Sequence, residues 1–416
     1  MESEFRRVEC LPQPEPGLSE ALLVERAAGL RSTLREQQAD SDRRGCYSEE
    51  IHEAFRNAGF YRILQPRMFG GYELAPRVYA RVVMELSRGH PGAAWCFTLA
   101  GSHGFFVASH FPEAVQRELF GPEGEFRSPQ VAGPCGTMRP VAGGYIVDGL
   151  FPFASGIPVS THFIGGSLAP TPGGPPRHVA FVLERKDVEV LNDWGEGRFL
   201  GMQASGSNTV RVNGKFVPER HVVGLDMLTS SEHAPQGTYG YRLHGNPMYT
   251  GVLLGWFNAE FAAILTGAAW AALDEFEEGA RTKSLFGNPA LKRMQDPFVQ
   301  NLFGNCKALV EAAQVLTLEA TDRYLQQAQR AAAESRPVTT RDTFEVWGLA
   351  QQACRLAGEA VTALFHASGA ATGRSDQRMQ RYFRDIETYR LHIQSQPNLP
   401  TARGKVEFGL AQGIFD

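Results

Sequence analysis

Lysine is scarce in this chain: six residues against 35 arginines, within 41 basic and 45 acidic side chains over 416 positions. The net charge of −4 leaves no basic face or tail, which excludes the usual electrostatics of a nucleic-acid binder. The arginine skew reads as base composition rather than as a phosphate-binding device. Paired cysteines are missing too. Cys10, Cys46, Cys96, Cys135, Cys306 and Cys354 lie far apart with no C-x-x-C, the usage of free thiols in a reducing compartment and not of a disulfide framework. Long apolar runs are absent as well. The most apolar stretch, Gly251 to Leu273, is interrupted by Asn258 and Glu260, and the unbroken run that is left is too short to span a bilayer. The first residues, Met1 to Arg7, lack the apolar region of a signal peptide. The expectation is a cytoplasmic protein without a membrane or nucleic-acid partner.

Common chemical signatures are missing in turn. No G-x-G-x-x-G follows a strand, and no P-loop occurs, so neither dinucleotide nor Walker-type phosphate binding is supported. A G-x-S-x-G elbow is absent. The eleven histidines show no H-E-x-x-H. His103 and His110 share a helical face, but about 10 Å of rise separates them, too far for one zinc ion. No metal is expected. Internal repeats and low-complexity tracts are lacking.

What is present is an ordinary globular composition, with 43% hydrophobic and 21% charged residues. The length suggests two or three domains at about 150 residues each. Ser19 can cap a segment with Leu22, Leu23, Ala27 and Leu30 at helical spacing. Further helical segments begin at Ser48, at Arg77 and after Pro91, the last running to Phe111. From Glu125 the texture changes to short alternating runs such as Tyr145-Ile-Val-Asp and His178-Val-Ala-Phe-Val-Leu. Asn213-Gly214 between β-branched runs predicts a hairpin. A polar and aromatic loop with His233, Tyr239, Tyr241 and His244 follows. Helices return at roughly 250–280, 290–330, 340–368 and 376–392. In the third of these, Phe344, Trp347, Cys354, Val361, Leu364 and Phe365 fit one buried face. The expected fold class is therefore α+β, mainly α. It comprises an N-terminal α-helical domain (1–124), a middle β-domain (125–223), and a loop plus a C-terminal four-helix bundle (224–416).

Four segments in this order carry a family resemblance: Leu64-Gln-Pro-Arg-Met-Phe-Gly-Gly; Tyr145-Ile-Val-Asp-Gly-Leu-Phe-Pro-Phe-Ala-Ser-Gly; Gly201-Met-Gln-Ala-Ser-Gly-Ser-Asn with Phe216-Val-Pro-Glu; and Gln380-Arg-Tyr-Phe-Arg-Asp with His392 beyond. Together they resemble the acyl-CoA dehydrogenase superfamily. Within it they look like the oxygenase components of two-component flavin-dependent monooxygenases. Counting from Arg384-Asp385, the position where the common dehydrogenases keep their catalytic glutamate is Ile393, which cannot act as a base.

The resemblance implies FAD or FMN, delivered reduced by a separate NAD(P)H:flavin reductase. It also implies reaction with O₂ through a C4a-hydroperoxide, a small and most simply phenolic substrate, and a homotetramer built as a dimer of dimers. His392 would hold or accept one proton, and its pKa is expected near neutrality. Ser155 would meet flavin N5, with Phe153 as a wall for the ring system. His103 would contact a substrate hydroxyl, beside Ser128 and Gln130 on the substrate-facing strand. Arg281, with Phe286, resembles a segment that reaches a neighbouring subunit's flavin phosphates, a task suited to a guanidinium. Ser368-Gly369 resembles a segment passing the cofactor across the dimer. Two other readings stay open. One is a dehydrogenase or N-oxygenase on the same scaffold, the former acting on a CoA thioester. The other is a non-catalytic scaffold protein.

Overall fold

A computed structural model of the chain describes residues 10–231, 237–396 and 398–410. The N-terminal part is helical: α1 (Glu20–Gly29), α2 (Arg31–Glu36), α3 (Gln38–Arg44), α4 (Glu49–Asn57), α5 (Pro76–Gly89), α6 (Pro91–Gly101), α7 (Gly104–His110) and α8 (Glu113–Phe120). Ser19 and Ser48 cap as expected, accepting the Leu22 and Ile51 N–H groups at 3.2 and 3.3 Å. The single helix expected from Pro91 to Phe111 is instead divided at Ser102-His103. Phe105 N–H returns to Ser102 O at 2.9 Å, a tight i→i+3 bond that re-aims the chain.

Two four-stranded sheets follow. Their strands are β1 (Gln130–Pro134), β2 (Thr137–Val141), β3 (Gly144–Ala154), β4 (His162–Ala169), β5 (Arg177–Glu184), β6 (Glu189–Val190), β7 (Asn208–Pro218) and β8 (Val222–Gly224). The orders are β1-β4-β5-β8 and β2-β3-β7-β6, with only β1–β4 parallel. Val147, Phe151, Phe163, Phe181, Val210 and Val212 bury between the sheets, while Ile164, Ala180 and Val182 of the first sheet turn to the helical core. The hairpin predicted at Asn213-Gly214 is overturned, because β7 runs through it. Val147 pairs with Lys215 and Gly149 with Val212, so two residues oppose Asp148. This is a β-bulge, with Gly214 at φ 55° and its N–H on the Asp148 carboxylate. Asparagine-glycine supplies positive φ, and a bulge needs that as much as a hairpin does.

The remaining elements are α9 (Tyr239–His244), α10 (Leu254–Thr282), a small hairpin of β9 (Ser284–Leu285) and β10 (Asn288–Lys292), α11 (Pro297–Glu334), α12 (Thr340–Ala367), α13 (Arg378–Arg390) and α14 (Asn398–Glu407). Helix α10 is buried nearly all round, as a central helix must be, and it packs against α5, α11 and α12. On α12, Phe344, Trp347, Cys354, Val361 and Leu364 are buried as predicted. Phe365 is only partly buried and stacks on Phe383 at 4.3 Å. The loop expected to be irregular contains α9, whose His244 bonds Gln116 Oε1 at 2.9 Å; His233 lies outside the described residues. No described helix is long and apolar enough to cross a membrane.

Candidate active site

Ser155 follows directly on the long strand β3 and is placed by its neighbour. Gly156 has φ 85°, and a Cβ there would sit 2.7 Å from Cys96 O and 2.8 Å from Ala100 Cβ. Only glycine permits that left-handed turn so close to α6. The turn sets Ser155 against Trp95, whose indole N–H donates to Ser155 Oγ at 3.1 Å. Ser155 Oγ also lies 2.7 Å from Ser207 Oγ, which lies 2.6 Å from Ser205 Oγ. A serine hydroxyl has one proton and two lone pairs. Trp95 and Ser207 therefore leave Ser155 one position with which to meet a ligand.

Phe153 stands beside it at φ 61°, a conformation rare for any residue but glycine. Its side chain is 63% exposed. It meets Trp194 and Phe199 edge-on at 6.3 Å each, and those two rings stack at 3.7 Å. A strained, exposed aromatic wall next to a hydroxyl with a spare position fits a planar ring system with a polar edge, as the sequence reading expects of Phe153 and Ser155.

His392 follows α13 and joins the group through Trp95. Its ring centroid lies 6.0 Å from Trp95, 5.0 Å from Phe261 and 6.1 Å from Tyr389. Burial among these rings pushes its pKa down to about 4. The near-neutral pKa expected from the sequence is thus corrected, because apolar surroundings disfavour the imidazolium. Nδ1 accepts the Gln394 N–H at 3.4 Å, so Nε2 carries the proton.

His103 lies just past the end of α6, eight residues after Trp95 and four after Leu99. Its Nδ1 approaches Leu99 O at 2.6 Å and Ser128 O at 2.9 Å. Both oxygens only accept, so Nδ1 holds the proton and Nε2 keeps its lone pair. Burial lowers its pKa to about 4 as well. Phe257 meets the His103 ring at 5.2 Å, one turn of α10 before Phe261. Phe257 and Phe261, one turn apart on α10, thus meet His103 and His392 respectively. Ser128 serves through its carbonyl, since its hydroxyl donates to Pro129 O at 2.8 Å. Gln130 begins β1 with both amide atoms buried and unpartnered.

The other candidates sit elsewhere on the chain. Arg281 pairs with Glu277 on its own helix. Phe286 is fully exposed between β9 and β10. The Ser368 hydroxyl donates to Leu364 O, and Gly369 has φ 88° with open space around it. None of the four is hydrogen-bonded to Ser155, Trp95 or His392. Among the described residues one trio, Glu49, His52 and Glu53, has ligand atoms within 4.8 Å of one another, but Glu53 already pairs with Arg56.

Sequence reasoning missed Trp95, Ser207 and Phe261. Trp95 and His103 are eight residues apart on one face, a legible signal. Ser207 stood inside a quoted motif without a role. The Arg384-Asp385 pair proves to be a clamp. Asp385 Oδ1 accepts Met202 N–H at 2.5 Å, and Arg384 Nη1 donates to Leu200 O at 2.8 Å, which fixes the loop that presents Ser205 and Ser207.

Among the described residues, no carboxylate is hydrogen-bonded to the Ser155–Trp95–His392 group. The buried Glu260 carboxyl accepts from Ser102 Oγ at 3.1 Å, and burial raises its pKa well above the usual range.

The N-terminal domain model of the acyl-CoA dehydrogenases matches residues 21–123, and their C-terminal domain model matches 259–397. The chain is 26% identical over 396 residues to the flavin-dependent monooxygenase oxygenase subunit HsaA of Rhodococcus jostii, covering 93% of this chain and 98% of that one. It is 22% identical over 378 residues to the oxygenase component of p-hydroxyphenylacetate 3-hydroxylase of Acinetobacter baumannii, covering 91% and 86%. Among solved structures, XiaF from Streptomyces sp. in complex with FADH2 and glycerol superposes with a TM-score of 0.83 at 23% identity, covering 94% and 96%. Two helical domains matched by their own models, flanking a sheet domain within one shared fold, settle the kinship: this chain belongs to the acyl-CoA dehydrogenase family.

Proposed function

We propose that the protein is the oxygenase component of a two-component flavin-dependent monooxygenase acting on a small phenolic substrate. The observation that carries this reading is the grouping of Ser155 and a neutral His392 across Trp95, beside the exposed wall of Phe153, with no carboxylate base among them. A thioester-oxidising dehydrogenase needs such a base. Ile393 is exposed and cannot serve, and Glu260 is engaged by Ser102. The names of the relatives support the same reading.

Reduced FAD or FMN, when bound, supplies the activation of O₂, and a separate reductase supplies the reduced flavin. The chain's own residues do the rest. Ser155 offers its remaining hydrogen-bonding position to the flavin edge, and Phe153 walls the ring. His392, protonated on Nε2, donates a hydrogen bond and excludes water together with Phe261 and Trp95. His103 accepts a hydrogen bond from a substrate hydroxyl at Nε2, and Gln130 offers an amide to the substrate. Arg281, Phe286, Ser368 and Gly369 would serve the flavin of a neighbouring copy, as the family resemblance implies, in a homotetramer. The cytoplasm is the compartment that suits the free thiols.

Rapid mixing tests the function. Protein is incubated anaerobically with reduced flavin, O₂ is added, and absorbance is followed. The expected result is a delay between oxygen consumption and the return of oxidised-flavin absorbance. Return at the rate of free flavin would count against an oxygenase, and bleaching of bound oxidised flavin by acyl-CoA thioesters without O₂ would replace it with a dehydrogenase.

A further inference from the structure

Cys46 and Cys96 are fifty residues apart in sequence and in contact in the fold. Their sulfurs lie 3.6 Å apart and both residues are buried. Cys46 lies between α3 and α4, and Cys96 lies on α6 directly after Trp95. Both adjoin the loop that carries the serine hydroxyls. Gly206 N–H donates to Gly45 O at 2.8 Å, and a Cβ on Gly206 would come 3.4 Å from Cys96 Sγ. The thiol pair therefore lies against Gly206, between Ser205 and Ser207, and the Cys96 carbonyl faces Gly156, the neighbour of Ser155. None of the other four cysteines has a sulfur partner, and Cys10 is exposed.

We propose that Cys46 and Cys96 are an oxidation site that closes to a disulfide when hydrogen peroxide reaches the interior behind Ser155. One cysteine, as thiolate, attacks a peroxide oxygen. The O–O bond breaks, one water leaves, and the sulfur becomes a sulfenic acid. The second sulfur attacks the first and expels another water, so two thiols lose two electrons and two protons while peroxide is reduced to two waters. A disulfide needs its sulfurs about 2 Å apart, so the pair has only about 1.5 Å to close. Burial raises the Cys96 thiol pKa, which slows the first step but leaves the second immediate, since the partner is already in contact. The site has a natural oxidant if the proposed function holds, because reduced flavin that meets O₂ without a substrate releases hydrogen peroxide. The chemistry itself does not depend on that reading.

The test treats the purified full-length protein, without flavin, with hydrogen peroxide. It is then denatured, alkylated and analysed by intact mass and non-reducing peptide mapping. The expected result is the loss of two hydrogens and two alkylatable thiols, one peptide pair joined through Cys46 and Cys96, and restoration by dithiothreitol. The joined pair is expected to vanish in Cys46→Ser. Oxidation of Cys10 with Cys46 and Cys96 still fully alkylatable would overturn the proposal, as would unlinked Cys96 bearing added oxygens. A second arm replaces peroxide with reduced flavin and O₂. Linkage by added peroxide but not by this mixture would keep the site and tell against the flavin as its source of oxidant.

Discussion

Burial leaves both His103 and His392 uncharged, with pKa values pushed to about 4, yet their hydrogen bonds give them opposite roles. Carbonyl partners hold the proton on Nδ1 of His103 and free an accepting Nε2. A backbone N–H on Nδ1 of His392 leaves it a donating Nε2. His103→Leu is accordingly expected to raise KM for a phenol by about tenfold or more, the worth of one hydrogen bond to a buried group, with reduced-flavin binding unchanged. His392→Ala is expected to speed the return of oxidised-flavin absorbance after O₂ is added, because water enters where the ring stood. Trp95→Phe removes the N–H that Ser155 accepts, together with part of the ring surface packed on Phe261, Tyr389 and His392. It is expected to cost about 1 kcal/mol of flavin affinity, measurable by fluorescence titration. The residue types His392, Ser155 and His103 were legible in the motifs, but their protonation was not. A pKa near neutrality is what a sequence suggests for histidine, and only the rings of Trp95, Phe261 and Tyr389 packed around His392 decide otherwise.

The elements meet at the 200–207 loop. Asp385, midway along α13, holds Met202 N–H, and Met202 itself has φ 51°. Asp385→Ala is expected to destabilise the fold by about 1–3 kcal/mol, because it orphans a buried N–H. Asp385→Asn keeps an acceptor and should lose much less, a difference readable in denaturant melts. The Asp385 carboxyl has its pKa raised to about 7, by burial first and then by Asp42, so the asparagine should match the native protein best on the acid side of that value. Gly156→Ala forces a Cβ against the α6 backbone in a left-handed conformation and should cost more than about 1 kcal/mol. Helix positions were readable from periodicity and caps, as at Ser19 and Ser48. The bulge at Asn213-Gly214 was not distinguishable from a hairpin, since both ask the same backbone angle of glycine. The broken helix at His103 escaped notice because an i→i+3 bond leaves the apolar spacing nearly intact.

For the whole molecule, acid is the condition to watch. His103, His110, His162, His244 and His392 all have pKa values lowered to about 4 from 6.5 by burial. Between those values the unfolded chain binds more protons than the folded one, so stability is complete above pH 6.5 and is lost as pH falls toward 4. Asp385 works in the opposite sense: its raised pKa favours folding at low pH and that benefit fades as pH rises through about 7. Glu260, its pKa also raised by burial, acts in the same sense as Asp385. Five groups outweigh two, and Tm is expected to fall steadily from about pH 6.5 to about pH 4.5.

The sequence by itself determined the order of helical, strand and helical segments and the family they resemble, and it marked Ser155, His103 and His392 as candidates. Those depend on local periodicity, capping and short motifs, which neighbouring residues carry along the chain. The tertiary structure decided what arises between distant segments. Trp95 bridges Ser155 and His392, Asp385 clamps Met202, and Cys46 touches Cys96. Contacts across tens or hundreds of residues leave no periodic trace, and burial, which sets protonation and reactivity, exists only once the chain has packed.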